Sequence, residues 1–387
     1  MANPGLPDSG RGDERSDLGA VRVLHVTEAY GGGIQTAIAS YIRNSPPGTV
    51  HTVIARGRPG HETSTDVGCE VSLVYGGLFR FFASVYSEIR RLEPAVIHLH
   101  SSYAGAFRLI APRGVRIVYT PHAFAFLRSD VSSLARFGYF LVEAVLARRN
   151  QVIAAISPYE HRLASRIGGS ACKVIYLPNV VCDISRIASG ERQNSSNIDI
   201  ITIGRIAPQK DPLFISKVAE LVGTDFRWVW VGEGDDQARY ALEHSGVEVT
   251  GWLPNAEVID LLGRARLYVH GAAWEGAPVT MLEAVANGTP VIARDVAALQ
   301  GLGFPMGGPT PDSLASSILA FFDDEVANEE VRGQCAMSLT VHSSRAQLAS
   351  LIQIYGDRDH KLYEITTPSS SADRCVSTQR VSEKTSS

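Results

Sequence analysis

Two carboxylates lie on either side of a turn in Glu275-Gly276-Ala277-Pro278-Val279-Thr280-Met281-Leu282-Glu283, which runs on through Gly288-Thr289-Pro290-Val291. Glu283 falls within an apolar helical run, where a carboxylate needs hydrogen-bond donors. Glu275 falls on the loop before that helix. The paired hydroxyls of a ribose or hexose are donors of the right kind for both. The same spacing also allows a plainer arrangement, with Glu275 solvated and Glu283 in a surface salt bridge. Pro278 sits near the first helical position, where a missing N–H costs nothing. The free N–H groups and partial positive charge at that helix start suit a diphosphate. Backbone donors are expected from Gly276 and Ala277, while Pro278 has none to give.

A second group of residues is cationic. In Gly204-Arg205-Ile206-Ala207-Pro208-Gln209-Lys210, Arg205 ends a strand and Lys210 precedes a helix begun by Pro212. Two cations bracketing a loop at a strand's carboxyl end can clamp a diphosphate, and they stabilise it most as it departs with added charge. Thr120-Pro121-His122 places an imidazole on the loop beyond a strand. Gly31-Gly32-Gly33 lets backbone approach a ligand between a strand and the helical pattern Ile34, Ile38, Ile42. That turn lacks the third glycine of a dinucleotide fingerprint, because Thr36 stands there, and this argues against a dehydrogenase. Trp252 offers a face for a base, or a ring for the core. His98 and His100 point to one face of a strand end, where structural hydrogen bonding is expected.

Such residues need strand ends to hold them. Apolar runs read as strands at Val21–Val26, His51–Ile54, Val71–Val74, Ala95–Leu99, Val115–Tyr119, Val152–Ile156 and Val174–Leu177. Five more lie near Ile198–Ile203, Phe226–Val231, Val249, Leu267–His270 and Pro290–Ala293. Strands alternating with helical patterns predict parallel sheets covered by helices, which bind ligands outside their carboxyl ends. The expected fold class is α/β with two doubly wound, Rossmann-like domains facing a central cleft. The boundaries read as a tail over 1–19, a first domain over 20–180, a polar linker over 181–197 and a second domain over 198–340. A helix over 341–357 and a tail over 358–387 complete the chain.

With 387 residues and 45% hydrophobic composition, the chain can bury two ordinary cores. A formal net charge of −4, with both signs interspersed, argues against nucleic acid as a partner. Five cysteines without metal or pairing spacing suggest a reducing compartment. No apolar run reaches the roughly 20 residues that span a bilayer, and the start is polar, so a cytoplasmic protein is expected. Two aromatic and basic stretches, Gly77–Phe82 with Arg90-Arg91 and Ala135–Phe140 with Arg148-Arg149, fit either core packing with solvated arginines or peripheral contact with a membrane's inner face.

Taken together, Glu275 to Glu283 with its Gly-Thr-Pro-Val sequel, Gly204-Arg205 with Lys210, the Thr120-x-His122 element and the glycine turn resemble the retaining family 4 glycosyltransferases of the GT-B fold, in family order over nearly the whole chain. The resemblance implies transfer of a hexose from a UDP- or GDP-linked sugar to a glycan or lipid-linked acceptor in surface-polysaccharide synthesis. It assigns Arg205 and Lys210 to the diphosphate, Glu283 to the ribose, and Glu275 and His122 to the sugar. It also implies front-face attack without a covalent nucleophile, and a last helix, Arg345–Tyr355, that crosses back to the first domain. Asp357-Arg358-Asp359 is the sole Asp-x-Asp and lies at the start of the tail, so neither a bridging metal nor a cofactor is expected. Two departures stand out. Gln35 replaces a family Glu, and Glu275-Gly276-Ala277-Pro278 replaces Glu-Gly-Phe-Gly. They motivate an alternative, a non-catalytic nucleotide-sugar-binding subunit.

Overall fold

The computed structural model describes residues 20–57, 67–181 and 197–356. The predicted tails, nearly all of the predicted linker, and the Asp357-Arg358-Asp359 segment lie outside the described residues.

The first sheet has seven strands in the order β3-β2-β1-β4-β5-β6-β7. They are β1 (Val21–Thr27), β2 (Thr49–Arg56), β3 (Glu70–Val74), β4 (Val96–His100), β5 (Arg116–Thr120), β6 (Gln151–Ala155) and β7 (Cys172–Tyr176). The second has five, in the order β10-β9-β8-β11-β12: β8 (Ile198–Ile203), β9 (Trp228–Val231), β10 (Val247–Val249), β11 (Ala265–His270) and β12 (Val291–Ala293). Every pairing is parallel. The strands are continuous Val/Ile-rich runs because helices bury both faces.

Helices on the first sheet are α1 (Gly32–Arg43), α2 (Leu78–Leu92), the single turn α3 (Ser102–Gly105), α4 (Ser133–Leu146) and α5 (Pro158–Ile167). The second sheet carries α6 (Pro212–Val222), α7 (Asp236–His244), α8 (Asn255–Arg264), α9 (Val279–Ala286), α10 (Pro311–Asp323) and α11 (Glu325–Val341). The last helix, α12 (Ser344–Tyr355), returns to the first sheet. Its Leu351, Ile354 and Tyr355 pack with Val23, Ala37, Tyr41 and Val96. Gln347 Nε2 donates to Ser40 Oγ and to the Pro178 carbonyl.

One local expectation is corrected. Gly32 and Gly33 belong to the first turn of α1 rather than to a loop before it; Gly31 is the N-cap, and Gly32, at φ +51, can take its left-handed start. Pro278 lies near the first helical position of α9, as expected, and is its N-cap. Among the described residues no helix is long and apolar enough to cross a membrane.

Candidate active site

The loop after β8 and the loop after β11 are joined side by side. Ala273 N–H donates to the Gln209 carbonyl, and Gln209 Nε2 donates to the Trp274 carbonyl. This brings Lys210 Nζ to 2.5 Å from Glu275 Oε1. Room for the lysine stem comes from Gly204, where a Cβ would meet Lys210 Cε at 2.8 Å. Asp211, at φ +48, caps α6 and accepts from Arg294 Nη1 at 2.7 Å, fixing the residue after Lys210. Burial alone would raise the Glu275 carboxyl, but Lys210 and His270 hold it down at about 2. His270 is itself oriented by the Tyr268 hydroxyl, 3.0 Å from its Nδ1.

Glu275 and Lys210 thus form one ion pair, whereas the sequence assigned them to sugar and diphosphate separately. Arg205 is exposed and makes no hydrogen bond or ion pair among the described residues. Glu283 lies in the second turn of α9. Its expected alternative as a surface salt bridge is not what forms: among the described residues it has no ionic partner, and burial pushes its carboxyl up to about 7. Trp252 is 68% exposed beyond β10, so the core reading of this ring is set aside.

Residues of the first sheet close on this group. A Cβ at Gly276 would come within 2.9 Å of the Ala123 nitrogen and 3.1 Å of the His122 carbonyl carbon, so the Glu275 loop lies directly on the His122 loop. Asn179 Nδ2 donates to the Ala277 carbonyl at 2.8 Å, while its Oδ1 accepts from Tyr41. The first turn of α1 faces the start of α9, with Gly33 against Val279. Gly32, Gly33, Gly276, Ala277, Pro278 and His122 therefore gather around one helix N-terminus. No hydrogen bond joins His122 to Glu275 among the described residues.

His122 and Ala123 both adopt left-handed backbone, at φ 52 and 82, which side-chain-bearing residues hold only under constraint. The constraint is Glu160, a residue the sequence reading passed over. Its Oε1 accepts from Ala123 N at 2.6 Å and its Oε2 from Ile156 N at 3.0 Å. Burial raises this carboxyl to about 7. Ser157 and Glu160 carry the spacing of a capping box, and the Ser157 hydroxyl does accept from Glu160 N. The carboxylate is redirected to the neighbouring loop. His25, His51 and His270 were also missed, because single histidines on separate strands give no local signal.

Comparison with known proteins identifies the family and the fold. The glycosyl transferase 4-like domain family matches residues 18–180, and the glycosyl transferases group 1 family matches residues 197–324. An uncharacterised 41.2 kDa protein in the cps region of Klebsiella pneumoniae is 25% identical over 301 residues, 72% of this chain and 82% of that protein. The Escherichia coli UDP-Gal:alpha-D-GlcNAc-diphosphoundecaprenol alpha-1,3-galactosyltransferase is 24% identical, over 63% of this chain and 70% of its own length. Among solved structures, Anabaena HepE in complex with UDP-glucose superposes with a TM-score of 0.68 at 17% identity, covering 86% of this chain and 98% of that one. Both sheets and the cleft loops between them thus fall within one known architecture, and the chain belongs to the group 1 glycosyltransferases of family 4 type, with their GT-B fold.

Proposed function

We propose that the enzyme moves a hexose from a nucleoside-diphosphate sugar, of which UDP-hexose is the favoured form, to a hydroxyl of a lipid-linked or surface-polysaccharide intermediate with retention of configuration. The observation that carries this reading is the convergence of Lys210, Glu275, the His122 loop and the start of α9 on one point between the sheets.

In this reading Arg205, Lys210 and the free N–H groups of α9 take up the charge that the diphosphate gains as its bond to the sugar breaks. Chain cations do this in place of a metal. Lys210 is shared between Glu275 and the diphosphate once donor is bound. Glu275, kept ionised, accepts from sugar hydroxyls beside His122. Glu283, with no other partner among the described residues, accepts from the ribose hydroxyls, and exposed Trp252 stacks on the base. Gly32 and Gly33 leave room where phosphate and acceptor meet. Attack comes from the face the diphosphate leaves, in one ion-pair-like step.

The UDP-galactose and diphosphoundecaprenol in the Escherichia coli relative's name, and the UDP-glucose bound in the Anabaena structure, favour the UDP donor and a lipid-linked acceptor. The surface of α4 favours a peripheral membrane contact at the cytoplasmic face. Leu134, Phe137, Leu141, Val142 and Val145 are exposed there beside Arg136, Arg148 and Arg149, while its acid, Glu143, is buried against Arg108. The other aromatic stretch is a weaker candidate, since Phe81 is core and Arg91 pairs with Glu88 and Glu70.

The test is product analysis by NMR with UDP-glucose, UDP-galactose and GDP-mannose, a diphosphoundecaprenol-linked GlcNAc acceptor, and EDTA in parallel. An α-linked product from an α-linked donor, unaffected by EDTA, is expected. A β-linked product would overturn retention. Donor binding without turnover would favour the binding-subunit alternative that Gln35 and Pro278 suggest.

A further inference from the structure

Five histidines, His25, His51, His98, His100 and His122, cluster across the first sheet, and four of them form an unbranched chain. Nε2 of His122 lies 3.1 Å from Nδ1 of His100, Nε2 of His100 lies 3.0 Å from Nδ1 of His25, and Nε2 of His25 lies 3.0 Å from Nδ1 of His51. Each link joins an Nε2 to the next Nδ1. One tautomer repeated along the chain therefore makes every bond donor to acceptor, and the opposite tautomer makes them all in reverse. The strand order β2-β1-β4-β5 lays these residues side by side, although they are far apart in sequence.

The two ends differ. His122 is half-buried beside Gly276, and its Nδ1 has no partner among the described residues. His51 is buried and lines a cavity of about 330 Å³ with Arg22, Glu70 and Leu92, while its Nε2 is closed to solvent and without a hydrogen-bond partner among the described residues. His98 stands off the chain, committed to Tyr355 and Thr120.

We propose that His122, His100, His25 and His51 are a proton relay joining the transfer cleft to the cavity beside His51. The proposal rests on the transferase reading. As the acceptor oxygen bonds to the sugar carbon and the diphosphate leaves, the acceptor O–H breaks and its proton passes to Nδ1 of His122. His122 gives its Nε2 proton to His100, His100 to His25, and His25 to His51, whose Nε2, closed to solvent at rest, passes its own proton to water in the cavity once the ring shifts toward it. The rings then hold the opposite tautomer. A proton entering at His51 and leaving from His122 to the departed diphosphate resets them.

Such a relay needs neutral rings. Burial holds His25 and His100 well below the usual imidazole range, His51 at about 4 and His122 at about 3. The titratable side chains packed on the cluster, Tyr41 from α1 and Tyr355 from α12, are pushed up by burial and uncharged at neutral pH. His25, His98 and His100 bring nitrogens within 4.8 Å of one another, but both nitrogens of each ring already take part in hydrogen bonds.

The experiment reads ring tautomers in ¹⁵N-histidine-labelled protein at pH 7, with metal content measured on the same sample. Four linked rings, neutral and in one sense, are expected. Two linked rings in opposite senses, or stoichiometric metal, would overturn the relay whether or not a donor turns over. The kinetic arm uses His51→Ala, which lies away from the sugar. The kcat should fall tenfold or more with KM within twofold, the solvent isotope effect should change, and free imidazole should restore turnover. His51→Gln, which fills the site without relaying a proton, serves if His51→Ala fails to fold. Wild-type kcat and isotope effect in a folded His51 variant would refute the relay. Absence of turnover in wild-type protein with every donor would instead refute the transferase reading.

Discussion

Replacing Glu283 with Gln should stabilise the unliganded protein while weakening its hold on a nucleotide. Burial raises this carboxyl from 4.5 to about 7 and no ionic partner offsets it among the described residues. A raised carboxyl pKa means that folded and unfolded chains are both protonated in acid. As pH rises from about 4.5 to about 7 the unfolded chain loses its proton first, so stability falls across that window and the penalty is constant above it. The full shift corresponds to about 3 kcal/mol, and solvent reaching one side of the carboxyl reduces it to about 2 kcal/mol. With unfolding entropy near 2.1 cal/mol/K per residue, Glu283→Gln should raise the thermal midpoint by about 2–3 °C at pH 8 and by less than about 1 °C at pH 5. Calorimetry should show UDP affinity down by about tenfold or more, because an ionised acceptor is exchanged for a neutral one. Equal midpoint changes at pH 5 and pH 8, or a lower midpoint at pH 8, would refute the buried, unpaired carboxylate.

Removing either cation should cut kcat by about 10²–10³-fold if both stabilise the leaving diphosphate. The two variants should separate in stability. Lys210→Ala strands buried Glu275 and should lower the thermal midpoint, whereas exposed Arg205→Ala should leave it unchanged. Gly276→Ala drives a Cβ against the His122–Ala123 backbone and should abolish transfer while circular dichroism stays native. Glu160→Ala frees the two left-handed residues and should lower kcat more than nucleotide affinity, read by parallel kinetics and calorimetry. Phe137→Glu with Leu141→Glu should abolish sedimentation with anionic vesicles, and Arg90→Glu should not.

The twelve strands were legible because each is a compact apolar run whose identity does not depend on a distant partner. Helices α4, α7, α8, α10 and α11 went unread although α7 and α8 are as amphipathic as α1, because none of them carries a motif of the candidate site. Of the candidate site, Arg205, Lys210, His122, Glu275 and Glu283 were singled out through strand-end placement and motif order. Their pairing was not. Lys210 meets Glu275 across 65 positions, and only the parallel order β8-β11 makes those two loops neighbours. The histidine chain was hidden for the same reason, since strand order rather than spacing puts His51, His25, His100 and His122 in line. Glu160 shows the opposite case, in which a local signature was present but its carboxylate serves a loop 37 residues away.

The central claim is that this cleft binds a nucleoside-diphosphate sugar through Lys210 and Glu283. Calorimetric titration of wild-type protein, Lys210→Ala and Glu283→Ala with UDP, GDP, ADP and their hexose conjugates tests it most directly. The account predicts saturable binding of one nucleotide class, UDP first, lost or weakened at least tenfold in both variants. Binding by none of them, or binding undiminished in both variants, would contradict it.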